Sequence, residues 1–107
     1  MSKGEVEAAF EWALRAAGVP AWERNHKPFP DDKREIDFAW PGESRKVGVE
    51  IQEETSHRYW RKQEQDARKL NELQLMDWTL LHFTGTMVTA DPWGCIDTLR
   101  QALGRSG

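Results

Sequence analysis

Two short alternating segments, residues 35–40 (Glu-Ile-Asp-Phe-Ala-Trp) and 46–52 (Lys-Val-Gly-Val-Glu-Ile-Gln), flank the turn signal Pro41-Gly42. This pair constrains the fold more than any other feature of the chain. Alternation of apolar and polar residues over that length is the period of a half-buried strand. A connection this short forces the two strands to pair antiparallel. A long polar segment follows, and then a third clear strand at 78–83 (Trp-Thr-Leu-Leu-His-Phe). A helix between two strands permits a parallel crossover, so the expected sheet is mixed and flanked by helices.

The remaining elements follow from local signals. Phe10, Ala13, Leu14 and Ala17 recur at helical spacing and predict a helix over 4–17, stopped by Gly18 and Pro20. Residues 21–27 are a short strand candidate, and 28–32 read as a loop. Thr55 or Ser56 caps a helix running to about Leu75, with Trp60, Ala67, Leu70 and Leu73 or Gln74 as its apolar stripe. Thr84-Gly85 breaks the last strand. Asp91-Pro92 starts a final helix that buries Ile96, Leu99 and Leu103 and ends at Gly104. The expected order is α-β-β-β-α-β-α in one domain spanning residues 1–107, a length that suits one core and not two.

Strand periodicity also places chemistry. Glu35 and Asp37 point away from Ile36, Phe38 and Trp40; Glu50 and Gln52 point away from Val47, Val49 and Ile51. With the apolar sets facing the core, Asp37, Glu50 and Gln52 emerge on a common face of adjacent strands. Neighbouring strands lie ~4.8 Å apart, which puts the two carboxylates within reach of one hard cation. Mg²⁺ takes oxygen ligands and keeps several waters, so Asp37, Glu50 and the carbonyl of Ile51 suffice from the protein. The alternative is a pair of exposed strand acids balanced by Arg34 or Lys46. Like charges on adjacent strands repel, however, so their juxtaposition asks for a reason.

The pattern Asp37…Glu50-Ile51-Gln52 on a hairpin after an N-terminal helix resembles the PD-(D/E)xK nuclease superfamily. The likeness is nearer to small phage-type and very-short-patch-repair-like endonucleases, relatives of Holliday junction resolvases. It extends to the segments 14–20, 36–41, 47–51, Asp66…Lys69-Leu70-Asn71 and 78–84, and so to most of the chain. The resemblance implies a restriction-endonuclease-like α/β core, α-β-β-β-α-β plus a C-terminal helix, and Mg²⁺-dependent hydrolysis of DNA phosphodiesters, with Mn²⁺ as a substitute. Asp37 and Glu50 match the metal carboxylates, and Glu7 on the first helix matches an acid that joins the metal through water. An ordinary helix-terminal role for Glu7 is the competing reading. Gln52 departs from the pattern, because the superfamily usually has Lys there. Lys would hold the attacking water and offset charge on phosphorus, whereas Gln orients water without charge. Lys69, or Lys62 and Arg61, can bring that charge from the following helix.

Composition bears on the partner. The 107 residues carry a net charge of −3, which argues mildly against a non-specific polyanion binder. Yet 11 of the 15 basic residues lie within 21–70, and discounting Glu7, Asp37 and Glu50 as metal ligands removes the deficit. His57, Arg58, Arg61, Lys62 and Arg68 are the candidate DNA contacts, which position the backbone without reading sequence. His26 and His82 read as structural. Cys95, the single cysteine, reads as a small core residue and excludes an internal disulfide. The chain shows no signal-peptide core and no membrane-length apolar run, so the expected setting is cytoplasmic, in a bacterial or phage-infected cell. So short a chain has no separate sequence-reading domain. The expected substrate is therefore branched or otherwise structured DNA, cut by a homodimer whose surface uses surplus tryptophans such as Trp22 or Trp93. The rival readings are a monomeric nicking, restriction or repair endonuclease of the same fold, and a catalytically inactive DNA-binding module.

Overall fold

A computed structural model describes residues 2–30, 32–42, 46–52 and 60–104, without the side chains of residues 60–63 and 66. The elements are α1 (Lys3–Ala16), β1 (Glu23–His26), β2 (Ile36–Trp40), β3 (Lys46–Gln52), α2 (Trp60–Leu75), β4 (Trp78–Thr84), α3 (Gly85–Ala90) and α4 (Pro92–Gly104). The four strands form one sheet in the order β1-β2-β3-β4. β1/β2 and β2/β3 are antiparallel, and β3/β4 is parallel across the α2 crossover. The expected mixed sheet with flanking helices is the observed architecture. The short helix α3 is an addition: Thr84 does end the strand, but its hydroxyl also accepts the Met87 amide and caps a new helix.

Local chemistry fixes the ends of α1. Ser2 and Glu5 form a reciprocal capping box at its start. At its end Gly18 adopts φ 73°, the Gly18 amide donates to the Arg15 carbonyl and the Val19 amide to the Leu14 carbonyl. That is the two-bond C-terminal motif in which glycine takes the left-handed position. Asp91 starts α4 as expected, its carboxylate accepting the Gly94 amide at 3.0 Å.

The sheet separates two unequal cores. On one face Val6, Phe10, Ala13 and Leu14 of α1, Val88 of α3, and Cys95, Ile96, Leu99 and Ala102 of α4 pack on Phe38, Trp40, Val47, Val49, Ile51 and Phe83. On the other, Ile36, Ala39, Leu73 and Trp78 form a small cluster, flanked by Phe29 and Leu80. Of the expected stripe of α2, Leu73 is buried, Ala67 and Gln74 are exposed and Leu70 is half-buried; the Trp60 side chain lies outside the described residues. The end of α2 turns through Asp77 at φ 65° into β4. Gly48 lies beneath the small cluster, where a Cβ would come within 2.8 Å of both Ile36 and Leu80 side chains.

One strand face differs from expectation. Phe38 and Trp40 face α1, but Ile36 joins Ala39 on the α2 side. The alternation slips at Asp37. The β2–β3 ladder runs only to Phe38↔Val49, and beyond it the Ile51 amide donates to the Asp37 carboxylate. A side chain has taken the place of the ladder partner, and the strand rotates there.

Candidate functional site

The β2–β3 register places Asp37 one step beyond Phe38↔Val49, level with Glu50. Asp37 is 6% exposed, the one charged residue among the buried side chains described. Its Oδ2 accepts the Ile51 amide at 2.8 Å, and its Oδ1 lies 3.3 Å from Lys3 Nζ of α1. In an extended strand the N–H and C=O of one residue face the same neighbour. The Ile51 carbonyl thus faces the side on which Asp37 sits. Glu50 is reached from the opposite layer: Lys69 of α2 donates to Glu50 Oε1 and also to the Glu35 carbonyl. The expected common face is therefore corrected. Glu50 and Gln52 share a face, whereas Asp37 turns toward Ile51 and α1; the two carboxylates approach one sheet end from different layers. Lys3 and Lys69 are their counter-ions, in place of Arg34 or Lys46.

Glu7 is beside this pair but tied elsewhere. Arg24 of β1 donates to it at 2.6 Å, and Lys3 Nζ is 3.8 Å away. Arg24 also donates through Nε to the Asp37 carbonyl (3.3 Å) and lies 4.5 Å over the Phe38 ring. Among the described residues no three His, Cys, Asp or Glu side chains come together as a metal cluster. Lys3 bridges Glu7 and Asp37, whereas Glu50 pairs with Lys69. Burial pushes the Glu50 carboxyl above the usual glutamate value, with Lys69 opposing. Burial and then the Asp37 charge raise Glu7 as well. The Lys3 ammonium is raised: burial works against it, but Asp37, Glu7 and Glu50 outweigh that.

Gln52 is exposed at the end of β3, and its side-chain amide donates to His82 Nδ1 at 2.8 Å. His82 is the register partner of Glu50 on β4. It thus reaches Gln52 from β4, a contact that sequence spacing does not signal, because the parallel register is set by the crossover. His26 is structural as expected, packed 5.5 Å from Trp78. Sequence reading also missed Lys3 and Arg24. Lys3 was legible as the i−4 neighbour of Glu7, but the reach of either residue to Asp37 depends on tertiary packing.

The expected DNA contacts are only partly placed. His57 and Arg58 lie outside the described residues, as does the Thr55 or Ser56 cap. Arg61 and Lys62 fall in the first turn of α2, with their side chains outside the description. Arg68 is exposed on α2 and bonded to Glu64 at 2.9 Å. Trp22 is half-buried against the larger core, and its indole N–H donates to Glu11. Trp93 is exposed beside Trp12, with ring centroids 6.1 Å apart. Among the described residues no helix is long and apolar enough to cross a membrane. No family model, curated protein or solved structure matches the chain.

Proposed function

We propose that the protein is a Mg²⁺-dependent DNA endonuclease. The observation that carries this reading is the convergence of Asp37 and Glu50 at one sheet end, each countered by a lysine from a different helix. Two carboxylates and a strand carbonyl are an all-oxygen donor set, which suits a hard divalent cation. Their present partners are the single ammonium charges of Lys3 and Lys69, which an ion of higher charge can displace. The donor set fits, with Asp37, Glu50 and the Ile51 carbonyl as the residues that would hold the ion and Glu7 reaching it through water. When bound, Mg²⁺ supplies Lewis acidity and lowers the pKa of water.

The chain's own groups do the rest. The Ile51 amide fixes one Asp37 oxygen and so aims the other. Lys69 carries into the site the positive charge that position 52 lacks, and stands where a phosphoryl oxygen gains charge. Gln52, oriented by His82, offers an amide to hold water. Selectivity for branched DNA and a twofold dimer belong to the same reading, by analogy with the nucleases the sequence resembles.

The test is cleavage of labelled four-way junction, duplex and single-stranded DNA in Mg²⁺ or Mn²⁺. Wild type is expected to cut at least one of these. Asp37→Asn and Glu50→Gln are each expected to lose ~10²-fold or more in rate, the scale of removing one group aimed at developing charge. No cleavage by wild type, or full activity in Asp37→Asn, sinks the reading.

A further inference from the structure

An open cleft of about 460 Å³ lies beside Glu50, lined by Arg34, Gln65, Arg68, Lys69 and Glu72. Four of these come from α2 at positions 65, 68, 69 and 72, the spacing of one helix face. Arg34 closes the cleft from the lead into β2. Its guanidinium is 4.1 Å over the Phe29 ring, donates to Asp32 at 2.9 Å and to Glu72 at 2.9 Å. The lining holds three cations and one carboxylate, and each cation already has a carboxylate partner, Arg34 with Asp32 and Glu72, Arg68 with Glu64 and Lys69 with Glu50, so a bound phosphate has to displace a carboxylate.

We infer that this cleft seats a phosphate of a DNA backbone adjacent to the one at Glu50, with Arg34 and Arg68 as its forks. The inference rests on the proposed nuclease reading and adds a substrate-positioning site to it. Two features of the cleft point to a phosphodiester strand. Guanidinium forks match phosphate oxygens in a bidentate way; Arg34 is held over Phe29 by Asp32, and Arg68, mostly exposed, can turn from Glu64 to a phosphate. Lys69 belongs to both the cleft and the carboxylate pair, so a strand crossing the cleft runs on to Glu50. Glu72 is the one acid in the lining, and it competes with phosphate for Arg34.

The experiment is binding, separated from cleavage. The full chain is titrated by fluorescence anisotropy with a short labelled DNA duplex in EDTA over a range of salt. Arg34→Gln and Arg68→Gln together are expected to reduce the steepness of log K against log[salt] by about 0.9, the one phosphate contact the two forks share. Arg34→Lys retains the slope and loses affinity. Glu72→Gln is expected to tighten binding roughly two- to fivefold, the size of one exposed charge interaction. Asp97→Asn, the same charge change on the exposed face of α4, leaves binding unchanged. Glu72→Gln moves in the direction that misfolding cannot mimic. The cleft assignment fails if wild type does not bind, if Arg34→Gln and Arg68→Gln leave the slope intact, or if Glu72→Gln and Asp97→Asn act alike. Cleavage in Mg²⁺ with an unresponsive slope sinks the cleft alone. Binding that responds, in a chain that cuts nothing, supports the cleft and sinks the nuclease.

Discussion

The two faces of the sheet are held by different forces. The α1, α3 and α4 face is a continuous apolar core built around Phe10, Phe38 and Phe83, with Phe10 in edge contact with Phe38 at 5.0 Å. Among the described residues the α2 face buries a cluster of four and carries ion pairs, Arg34 with Glu72 and Lys69 with Glu50. Burial is cheap to maintain and unspecific in direction; ion pairs hold charged groups in fixed places at a cost in stability. The cleft and the Glu50–Lys69 half of the candidate site lie on the face that is electrostatically and not hydrophobically held, while Asp37, Lys3 and Glu7 reach the site from the α1 side. Away from that sheet end the first face is scaffold, and the second is where charge is kept available.

The largest expected effect tests the scaffold. Phe10→Ala removes a fully buried ring that touches both Phe38 and Phe83, and is expected to cost ~3–5 kcal/mol in urea unfolding. Such a loss approaches the whole stability of a small domain, so the variant is expected to be largely unfolded when warmed. If Phe10→Ala proved milder than Leu73→Ala, the ranking of the two faces would be reversed.

Next comes Lys69→Met, which strips the counter-ion from Glu50 in a pair whose side chains are 16% and 14% exposed. Breaking such a pair costs up to ~3–5 kcal/mol when the remaining charge stays. Glu50 has an escape, because burial already raises its carboxyl and protonation removes the charge. A group whose folded pKa is raised contributes stability below its unfolded value and loses it as pH rises through the folded value. The penalty of Lys69→Met is therefore expected to be small near the ordinary glutamate pKa and to grow toward neutral and alkaline pH. Denaturant melts at several pH values check the trend. The same sign applies to metal: affinity for Mg²⁺ or Mn²⁺, read by calorimetry, is expected to fall as pH drops through the raised Glu50 range, since the ion must displace a proton.

Gly48→Ala probes how tightly the smaller core is closed. A methyl there meets Ile36 and Leu80 at 2.8 Å, and both must shift. The expected cost is ~1–3 kcal/mol by thermal or urea melts. It is mild only if the α2 layer can lift away from the sheet.

How much of this was legible in sequence divides along the same line. The elements of the apolar face other than α3 were readable because their signals are local: the stripe Phe10, Ala13, Leu14, the Gly18 stop and the alternation in β3. Asp37 and Glu50 were readable for the same reason, as carboxylates on the polar phase of two adjacent alternating strands. Their geometry was not. The slip at Asp37 depends on a side chain replacing a ladder bond, and Lys3, Arg24 and His82 reach the site only through helix packing and parallel register. The α2 stripe misled because an apolar period implies burial only where the sheet beneath offers a partner, and here it offers one chiefly to Leu73.

The smallest effect sharpens the comparison within the site itself. Lys3 and Lys69 counter neighbouring carboxylates, but Lys3 is 36% exposed and stands 3.3 Å from Asp37. Water screens that pair, and Asp37 retains the Ile51 amide when the lysine is gone. Lys3→Met is accordingly expected to cost less than ~1 kcal/mol, the range of solvent-accessible ion pairs, and to weaken further in salt. The contrast with Lys69→Met is best measured in one buffer at alkaline pH, where the Glu50 penalty is greatest. Equal losses for the two variants would mean that the α1-side pair is as dry as the α2-side pair, and the division of the molecule into a scaffold face and a charged face would not hold at the site. A small loss for Lys3→Met beside a large one for Lys69→Met places the weight of the site on α2, the helix that also lines the cleft.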